Sequence, residues 1–294
     1  FLSGEDERML DTARDLAEAH NLNIIGAMPK PLKPDALKAL LEQYTPKEEK
    51  RSYVPQESIT EEELKAGIDG GEGLLLVYQP KINVKSGEIT GVETLARWQH
   101  PERGMLGPGA FIPLAEHSGL IDDLTYAIYR EAVNQVGEWL SMGIQLKTSI
   151  NVAVNTFTRA KFTEFVTEIA LEQGVDPSNL VLEVTESQVM EDATNCLEIM
   201  MRLRMKKFGL SIDDFGTGHS SMSQLKQIPF TELKIDRAFV FGAVHDSSAR
   251  AILESSVSLA KNMKMEIVAE GAENREDWDL VEKLECDYVQ GFYC

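Results

Sequence analysis

The chain has 294 residues with 48 acidic and 29 basic side chains, and its formal net charge of −19 argues against a nucleic-acid partner, which needs a basic surface. Hydrophobic residues make up 43% and charged residues 26% of the sequence, which is ordinary for a globular protein and excludes general disorder. No apolar run approaches the roughly 18 residues of a membrane span, and the acidic start does not resemble a signal peptide. We therefore expect neither a nucleic-acid nor a membrane partner.

The three cysteines are Cys196, Cys286 and Cys294. They are widely spaced and odd in number, whereas disulfide frameworks and zinc sites use cysteines in pairs at short spacing. The five histidines show no metal-ligand spacing either. These patterns predict reduced thiols in a cytoplasmic protein and no zinc site.

The sequence pattern of residues 1–45 predicts a helix over Glu7–His20, a strand over Leu22–Ala27 and a second helix over Pro34–Tyr44. So short a segment rarely buries a core without a partner, so we expect it to be a remnant of another domain. Residues 46–71 carry charges and two prolines without an apolar period, which predicts an interdomain linker. A short helix is predicted within that linker over Glu61–Ile68.

From Leu74 onward, short apolar runs alternate with amphipathic stretches. Eight strands are predicted: Leu74–Gln79, Ile89–Ala96, Leu146–Val152, Leu180–Val184, Leu210–Asp213, Glu232–Ile235, Glu266–Ala269 and Asp287–Gln290. Most intervals fit a helix with one apolar face, as in the stripe of Ile252, Leu253, Ser256, Val257, Ala260 and Met263. This alternation predicts an α/β fold of the TIM-type (β/α)₈ barrel class.

The first two predicted strands differ from the rest in their connection. Lys81–Glu88, with Asn83 and Ser86-Gly87 as turn residues, is too short to hold a crossover helix. We therefore expect the first strand to run antiparallel to the second.

Polar side chains stand at or just past the ends of seven predicted strands: Glu93, Asn151, Glu183, Asp213-Asp214, Lys234, Glu270 and Gln290. In a barrel these ends converge on one pocket. A single acid at a strand end is more often a helix cap or a surface charge, but seven such positions are not explained in that way. Crowded carboxylates raise each other's pKa unless a cation compensates them, and oxygen donors favour Mg²⁺ or Mn²⁺. The adjacent pair Asp213-Asp214 suits a two-metal phosphoryl-transfer site.

Nine separated motifs occur in order in residues 72–294: Tyr78-Gln79-Pro80, Glu93-Thr94-Leu95-Ala96-Arg97-Trp98, Phe111-Ile112-Pro113-Leu114-Ala115-Glu116, Asn151-Val152, Glu183-Val184-Thr185-Glu186, Asp213–Ser221, Leu233-Lys234-Ile235-Asp236, Glu270-Gly271-Ala272-Glu273 and Gln290-Gly291. Together they resemble the EAL-domain cyclic-di-GMP phosphodiesterases. The resemblance implies a TIM-type barrel with an antiparallel first strand. It also implies hydrolysis of cyclic di-GMP to linear pGpG with two Mg²⁺ or Mn²⁺ ions.

The resemblance assigns a role to each of the matching residues. Four side chains would bind the first metal ion: Glu93, Asn151, Glu183 and Asp213. Asp213 and Asp214 would serve the second ion. Lys234 and Glu270 would hold the attacking water, with Glu270 as the general base and Gln290 alongside. Substrate contacts would come from Gln79, Arg97 and Asp236, while Glu186 would orient the Asp213–Ser221 loop and Glu273 would support the metal ligands from outside.

Three departures from the family pattern leave every implied ligand in place. The signature triplet reads Glu-Thr-Leu rather than Glu-Ala-Leu, His219 replaces a common Tyr, and Ala272 replaces a common Val. The sequence also stops at Cys294, before the segment that completes the last barrel helix in the family. We therefore expect a barrel over residues 72–294 with a truncated C-terminus.

Residues 1–45 are similar to the last third of a response-regulator receiver domain, through Leu2-Ser3-Gly4 and Met28-Pro29-Lys30-Pro31-Leu32. This resemblance implies that Ser3 and Lys30 form the phosphate-sensing pair, with the phosphoacceptor aspartate before Phe1. The full-length protein would then be a response regulator controlled by a sensor histidine kinase. Because the remnant's helices would lack the sheet they normally cover, we also expect a homodimer.

Two other functions stay open on the sequence alone. A non-catalytic cyclic-di-GMP receptor would bind the ligand and signal through a protein partner, but it has no need of a complete two-metal ligand set. A Mg²⁺-dependent barrel lyase would need a lysine or histidine base and contacts to a carboxylate substrate. Asn151 and the pair Asp213-Asp214 fit such a lyase poorly.

Overall fold

The computed structural model of the protein describes residues 2–3, 28–29, 59–69, 73–186, 189, 193–217, 225–291 and 293. The chain divides into two compact units, Phe1–Ser58 and Ile59–Cys294. In the first unit, Leu2–Ser3 pairs in parallel with Met28–Pro29, so that Ser3 lies opposite Pro29. The predicted helices and strand of residues 1–45, together with Lys30, lie outside the described residues.

Within the described residues of the second unit, eight strands close into a barrel. They are β1 (Leu74–Asn83), β2 (Ile89–His100), β3 (Lys147–Asn151), β4 (Leu180–Thr185), β5 (Gly209–Phe215), β6 (Glu232–Ile235), β7 (Glu266–Glu270) and β8 (Tyr288–Gln290). Strands β2 to β8 are parallel to one another, whereas β1 pairs antiparallel with both β8 and β2. The predicted TIM-type barrel with an antiparallel first strand is confirmed.

The turn between β1 and β2 explains why no helix is needed there. The Asn83 side chain accepts hydrogen bonds from the backbone N–H groups of Lys85 and Ser86, each at 3.0 Å. Gly87 follows with φ of 71°, in the left-handed region that glycine adopts without strain. Past its predicted end, β2 also pairs antiparallel with a short strand, Gly104–Leu106, which the sequence analysis did not predict.

The described helices are α1 (Glu61–Asp69), α2 (Pro108–Ser118), α3 (Ile121–Ser141), α4 (Val154–Phe157), α5 (Phe162–Glu172), α6 (Ala193–Met205), α7 (Arg237–Val240), α8 (Ser247–Met263) and α9 (Arg275–Lys283), with a 3₁₀ turn at Pro177–Asn179. The short helix predicted at Glu61 is confirmed. It begins at a reciprocal cap, in which the Thr60 N–H donates to Glu63 and the Glu63 N–H donates to Thr60. None of these helices combines the length and the apolar character that crossing a membrane requires.

The predicted apolar stripe of α8 is largely confirmed. Leu253, Val257 and Ala260 are buried, and Ser256 lies among them. The prediction was wrong at Ile252, which is 38% exposed. Helical spacing predicts which residues lie at the centre of an apolar stripe. Whether the residues at its edges are buried depends on the neighbouring helices and strands.

The barrel interior is unusually polar. TIM barrels are normally filled by branched apolar side chains, but here Lys81, Ser149 and Glu232 are buried in the interior. In β6 the side chains alternate, so that polar Glu232 and Lys234 point inward while Leu233 and Ile235 join the apolar layer beneath the helices. The interior is therefore available for charged chemistry, while the apolar core lies between strands and helices.

Candidate active site

Acidic side chains from three strands meet at the mouth of the barrel. Glu93 of β2, Glu183 of β4 and Asp213 of β5 each place a carboxylate oxygen within 4.8 Å of the other two. Strand register brings them together, because Asn151 pairs with Glu183 and Thr185 pairs with Asp213. The structure thus clusters the three carboxylates that the sequence analysis assigned to one metal ion.

The ammonium of Lys234 lies among these carboxylates. Lys234 Nζ is 3.1 Å from Glu93 Oε2, 3.2 Å from Glu183 Oε2 and 3.1 Å from Asp213 Oδ1. It also lies 2.7 Å from Glu270 Oε1. Since Lys234 is almost fully buried, its positive charge faces four carboxylates in a poorly hydrated place.

The crowding of negative charge shifts the pKa values of these carboxylates. Burial, reinforced by neighbouring carboxylates and only partly offset by Lys234, raises the pKa of Asp213 to about 6 and that of Glu270 to about 7. Burial opposes ionisation of Glu183 as well, but Lys234 and Lys81 outweigh it and lower the pKa of Glu183 to about 2. A divalent cation would relieve this excess, so the donor set fits a hard metal ion such as Mg²⁺ or Mn²⁺.

Asn151 contributes to the same cluster. Its Nδ2 donates to Glu93 Oε1 at 2.9 Å, which turns the amide oxygen away from that carboxylate. An amide oxygen beside carboxylates is a donor of the kind that hard cations accept. Asn151 therefore lies beside Glu93 at the edge of the acidic cluster.

A β-bulge presents Asp213 and Asp214 together. The pairing of β5 with β6 shifts register between Ile212 and Phe215. Asp214 has φ of 55°, and its N–H donates to Asp213 Oδ1 at 3.0 Å. Burial, Asp236 and Glu93 raise the pKa of Asp214, and Lys234 opposes them. Two consecutive acids can face one side because a bulge interrupts the strand alternation.

Gln290 is tied into the site by its amide nitrogen. Nε2 donates to Glu93 Oε2 at 2.7 Å and to Gln79 Oε1 at 3.0 Å. Because the Gln79 oxygen is occupied as an acceptor, the orientation of that amide is set and its N–H donors remain for a ligand. Gln290 thus orients two site residues at once.

The site opens into a cavity of about 260 Å³ lined by Gln79, Glu93, Asp213, Lys234, Arg237, Glu270, Glu273 and Gln290, among others. Arg237 was missed by the sequence analysis, although it directly follows Asp236 in a quoted motif. Its guanidinium pairs with Glu273 at 2.8 Å, and more than half of its side chain is exposed. The structure therefore adds a cation at the rim of the cavity.

A second cavity, of about 330 Å³, adjoins the first one. Leu95 lines both cavities, and Asn151 and Glu183 lie where the second meets the acidic cluster. Its other lining residues are mostly apolar and include Pro108, Ile112 and Leu124. The acidic cluster therefore lies beside a space suited to a flat apolar group.

Three predicted residues lie around the cluster rather than in it. Glu186 is buried and accepts a hydrogen bond from the Gly216 N–H at 2.9 Å, at the start of the loop it was expected to orient. Asp236 caps α7 by accepting from the Ala238 N–H at 2.8 Å. Arg97 follows Glu93 on the same face of β2 and donates to the backbone oxygen of Ala96 at 2.8 Å.

Comparison with known proteins places this geometry in a family. The EAL domain model matches residues 61–294. The bifunctional diguanylate cyclase/cyclic di-GMP phosphodiesterase MucR of Pseudomonas aeruginosa is 41% identical over 220 residues, covering 74% of this chain and 32% of that protein. The cyclic di-GMP phosphodiesterase PA2567 of the same species is 35% identical over 78% of this chain and 39% of its own length.

Solved structures give the same result. The MucR phosphodiesterase in complex with c-di-GMP superposes with a TM-score of 0.75 at 40% identity, covering 79% of this chain and 94% of that one. The EAL enzyme Bd1971 with cAMP and cyclic-di-GMP bound has a TM-score of 0.73 at 27% identity, over 98% of this chain and 72% of that one. The chain spans about a third of the length of the curated relatives it matches. It belongs to the EAL domain family.

Proposed function

We propose that this chain hydrolyses cyclic di-GMP to linear pGpG, using two divalent cations that are Mg²⁺ or Mn²⁺. The observation that carries the proposal is the placement of Lys234 among Glu93, Glu183, Asp213 and Glu270, which joins the metal ligands to a candidate base. Similarity to the MucR phosphodiesterase, whose solved structure is a c-di-GMP complex, supports the choice of substrate.

In this proposal, Glu93, Asn151, Glu183 and Asp213 hold one ion, while Asp213 and Asp214 hold the other. When bound, such ions neutralise charge on the phosphate and lower the pKa of water. The protein keeps the carboxylates ionised and holds all of the donor side chains in place. Hydrogen bonds from Asn151 and Gln290 to Glu93 serve that purpose.

Glu270 is the general base of the proposed reaction. With its pKa raised to about 7, it accepts a proton readily at neutral pH. Lys234 has its pKa raised well above the ordinary value because the surrounding carboxylates outweigh burial, so it stays a cation and orients the water. As the water oxygen bonds to phosphorus, its proton passes to Glu270 and the P–O3′ bond breaks. The leaving ribose 3′-oxygen takes up a proton from solvent and becomes a hydroxyl, which opens the cyclic dinucleotide.

Substrate binding is assigned to the residues around the mouth. Gln79 offers N–H donors, Arg97 and Arg237 offer guanidinium groups suited to phosphate oxygens, and Asp236 offers an acceptor. The largely apolar second cavity suits a purine base. Glu186 and Glu273 hold neighbouring segments in place through Gly216 and Arg237.

A cyclic-di-GMP receptor without turnover is the alternative, and one experiment separates the two. The chain is incubated with cyclic di-GMP and Mg²⁺, binding is measured by calorimetry and products are separated by chromatography. We expect linear pGpG, its loss with EDTA, and recovery with Mg²⁺ or Mn²⁺. Binding without product would favour the receptor, and hydrolysis in excess chelator would remove the metal from the proposal.

The wider context is proposed on the sequence of residues 1–45. We propose that they belong to a receiver domain, that a cytoplasmic sensor histidine kinase controls the full-length protein, and that the chain forms a homodimer. The resemblance rests on the segments around Ser3 and Met28, and in the described residues Leu2–Ser3 pairs in parallel with Met28–Pro29. Light scattering on the chain with and without residues 1–50 tests the dimer, and a monomeric mass in both would contradict it.

A further inference from the structure

Lys81 is buried in the barrel interior, although it belongs to none of the motifs interpreted above. It is 3% exposed, and its Nζ lies 2.6 Å from Ser149 Oγ, 2.8 Å from Glu232 Oε1 and 3.0 Å from Glu183 Oε1. An ammonium group has three N–H donors, so each donor has an acceptor. The orientation of the Lys81 head group is therefore fully determined.

Glu183 is held from two sides by two lysines. Lys81 contacts Oε1, whereas Lys234 contacts Oε2 at 3.2 Å from within the acidic cluster. Because the two oxygens of a carboxylate point in different directions, the contact to Oε1 determines which oxygen faces Glu93 and Asp213. Ser149 Oγ accepts from the same Lys81 ammonium at 2.6 Å, which fixes the group that holds Glu183.

The antiparallel first strand makes this arrangement possible. β1 runs from the mouth into the barrel, and Lys81 lies opposite Gly91 of β2, which has no side chain to fill the interior. Burial alone would lower the pKa of Lys81, but Glu183 and Glu232 raise it, so the ammonium stays charged. Lys81 does not line the cavity of about 260 Å³ at the mouth. It is therefore not placed to touch a substrate.

We propose that Lys81 is a positioning residue for the metal site, which holds Glu183 Oε1 so that Oε2 is presented to the cation. The identity of the cation rests on the proposed function. Groups that orient metal ligands from behind typically contribute about 10- to 100-fold to metal affinity. Removal of Lys81 should cost an amount in that range.

The sign of the effect separates positioning from simple electrostatics. A positive charge near a cation site repels the cation, so loss of the Lys81 charge alone would tighten metal binding. Loss of positioning would weaken it. A charge-balanced double variant, Lys81→Met with Glu232→Gln, removes one positive and one negative charge and leaves the net charge of the interior unchanged.

Mn²⁺ binding without nucleotide, followed by electron paramagnetic resonance, provides the test. We expect the double variant to bind Mn²⁺ about 10- to 100-fold more weakly than wild type. The matched control Glu232→Gln keeps the contacts from Lys81 to Glu183 and Ser149, so it should lose much less affinity. In hydrolysis, the half-saturating Mn²⁺ concentration should rise while kcat recovers at saturating Mn²⁺, which general damage to the fold would not produce.

If the double variant does not fold, Ser149→Ala still tests the proposal, because it removes one of the three acceptors that orient Lys81 and leaves both lysines in place. It should also weaken Mn²⁺ binding. Affinity equal to or tighter than wild type in the folded double variant, or unchanged affinity in Ser149→Ala when only that variant folds, would overturn the role of Lys81. If wild type itself binds no Mn²⁺, the proposed function fails first and the role of Lys81 falls with it.

Discussion

Lys234 Nζ lies 2.7 Å from Glu270 Oε1, the shortest of the four ion pairs described for this ammonium. The pKa of each group is raised, but Lys234 thereby stays protonated, whereas Glu270 titrates near neutral pH. Neighbouring carboxylates outweigh burial and raise the pKa of Lys234, while burial raises that of Glu270 to about 7. Within this pair, the carboxylate is therefore the group that exchanges a proton near neutral pH.

Glu270→Gln should lower kcat for cyclic di-GMP by about 10²- to 10⁴-fold, the usual cost of losing a general base. Binding of the dinucleotide should change far less, because the amide keeps the shape of the side chain. Steady-state kinetics and calorimetry at one Mg²⁺ concentration check both values. Glu276→Gln, at an exposed glutamate of α9, is the matched control. A near-normal kcat in Glu270→Gln would mean that another group takes the proton.

Without metal, stability should fall as pH rises from about 5 to 8. The folded chain raises the pKa of Glu270 from 4.5 to about 7 and that of Asp213 from 3.8 to about 6, so it binds these protons more tightly than the unfolded chain. Their stabilising effect is present at low pH and is lost as pH rises through the folded values. Glu270 alone corresponds to about 3 kcal/mol. Glu183 acts in the opposite sense, because its pKa is lowered to about 2. Its contribution to the stability of the folded chain is lost only as pH falls below this window.

Thermal unfolding in EDTA at several pH values measures this dependence. The midpoint should fall with rising pH, and Glu270→Gln should flatten the slope because it removes one of the carboxylates whose pKa is raised. Mn²⁺ should raise the midpoint most near pH 8, where the carboxylates are ionised. An identical slope in wild type and Glu270→Gln would contradict the assignment.

Arg237→Gln should raise KM for cyclic di-GMP about tenfold and change kcat less, because a rim cation that contacts phosphate acts in binding. Arg250→Gln is a suitable control, since Arg250 lies on α8 and pairs with Glu254 of the same helix. Kinetics over a range of substrate concentrations separate the two parameters. A large loss in kcat at unchanged KM would instead place Arg237 in the chemical step.

Much of the fold followed from local patterns in the sequence. Alternating apolar runs predicted the strands, and the short Lys81–Glu88 connection predicted the antiparallel start. Polar residues at successive strand ends predicted the site, and the structure brings Glu93, Glu183 and Asp213 together as expected.

Other features depend on distant parts of the chain and have no local signal. The first strand was predicted to end at Gln79, so Lys81 fell in a connection where lysine is normally solvated. Its burial depends on Glu232, which lies 151 residues later. Arg237 lies against Gly271, where a Cβ would overlap the Arg237 side chain, and only the folded barrel brings them together.

Product analysis of wild type and Glu93→Ala, side by side with cyclic di-GMP and Mg²⁺, tests the central claim most directly. Glu93 belongs to the metal cluster and accepts hydrogen bonds from Asn151, Gln290 and Lys234, so its loss should remove metal affinity and turnover together. We predict linear pGpG from wild type only, and none when EDTA is present. Intact dinucleotide bound to wild type, or equal turnover by Glu93→Ala, would contradict the account.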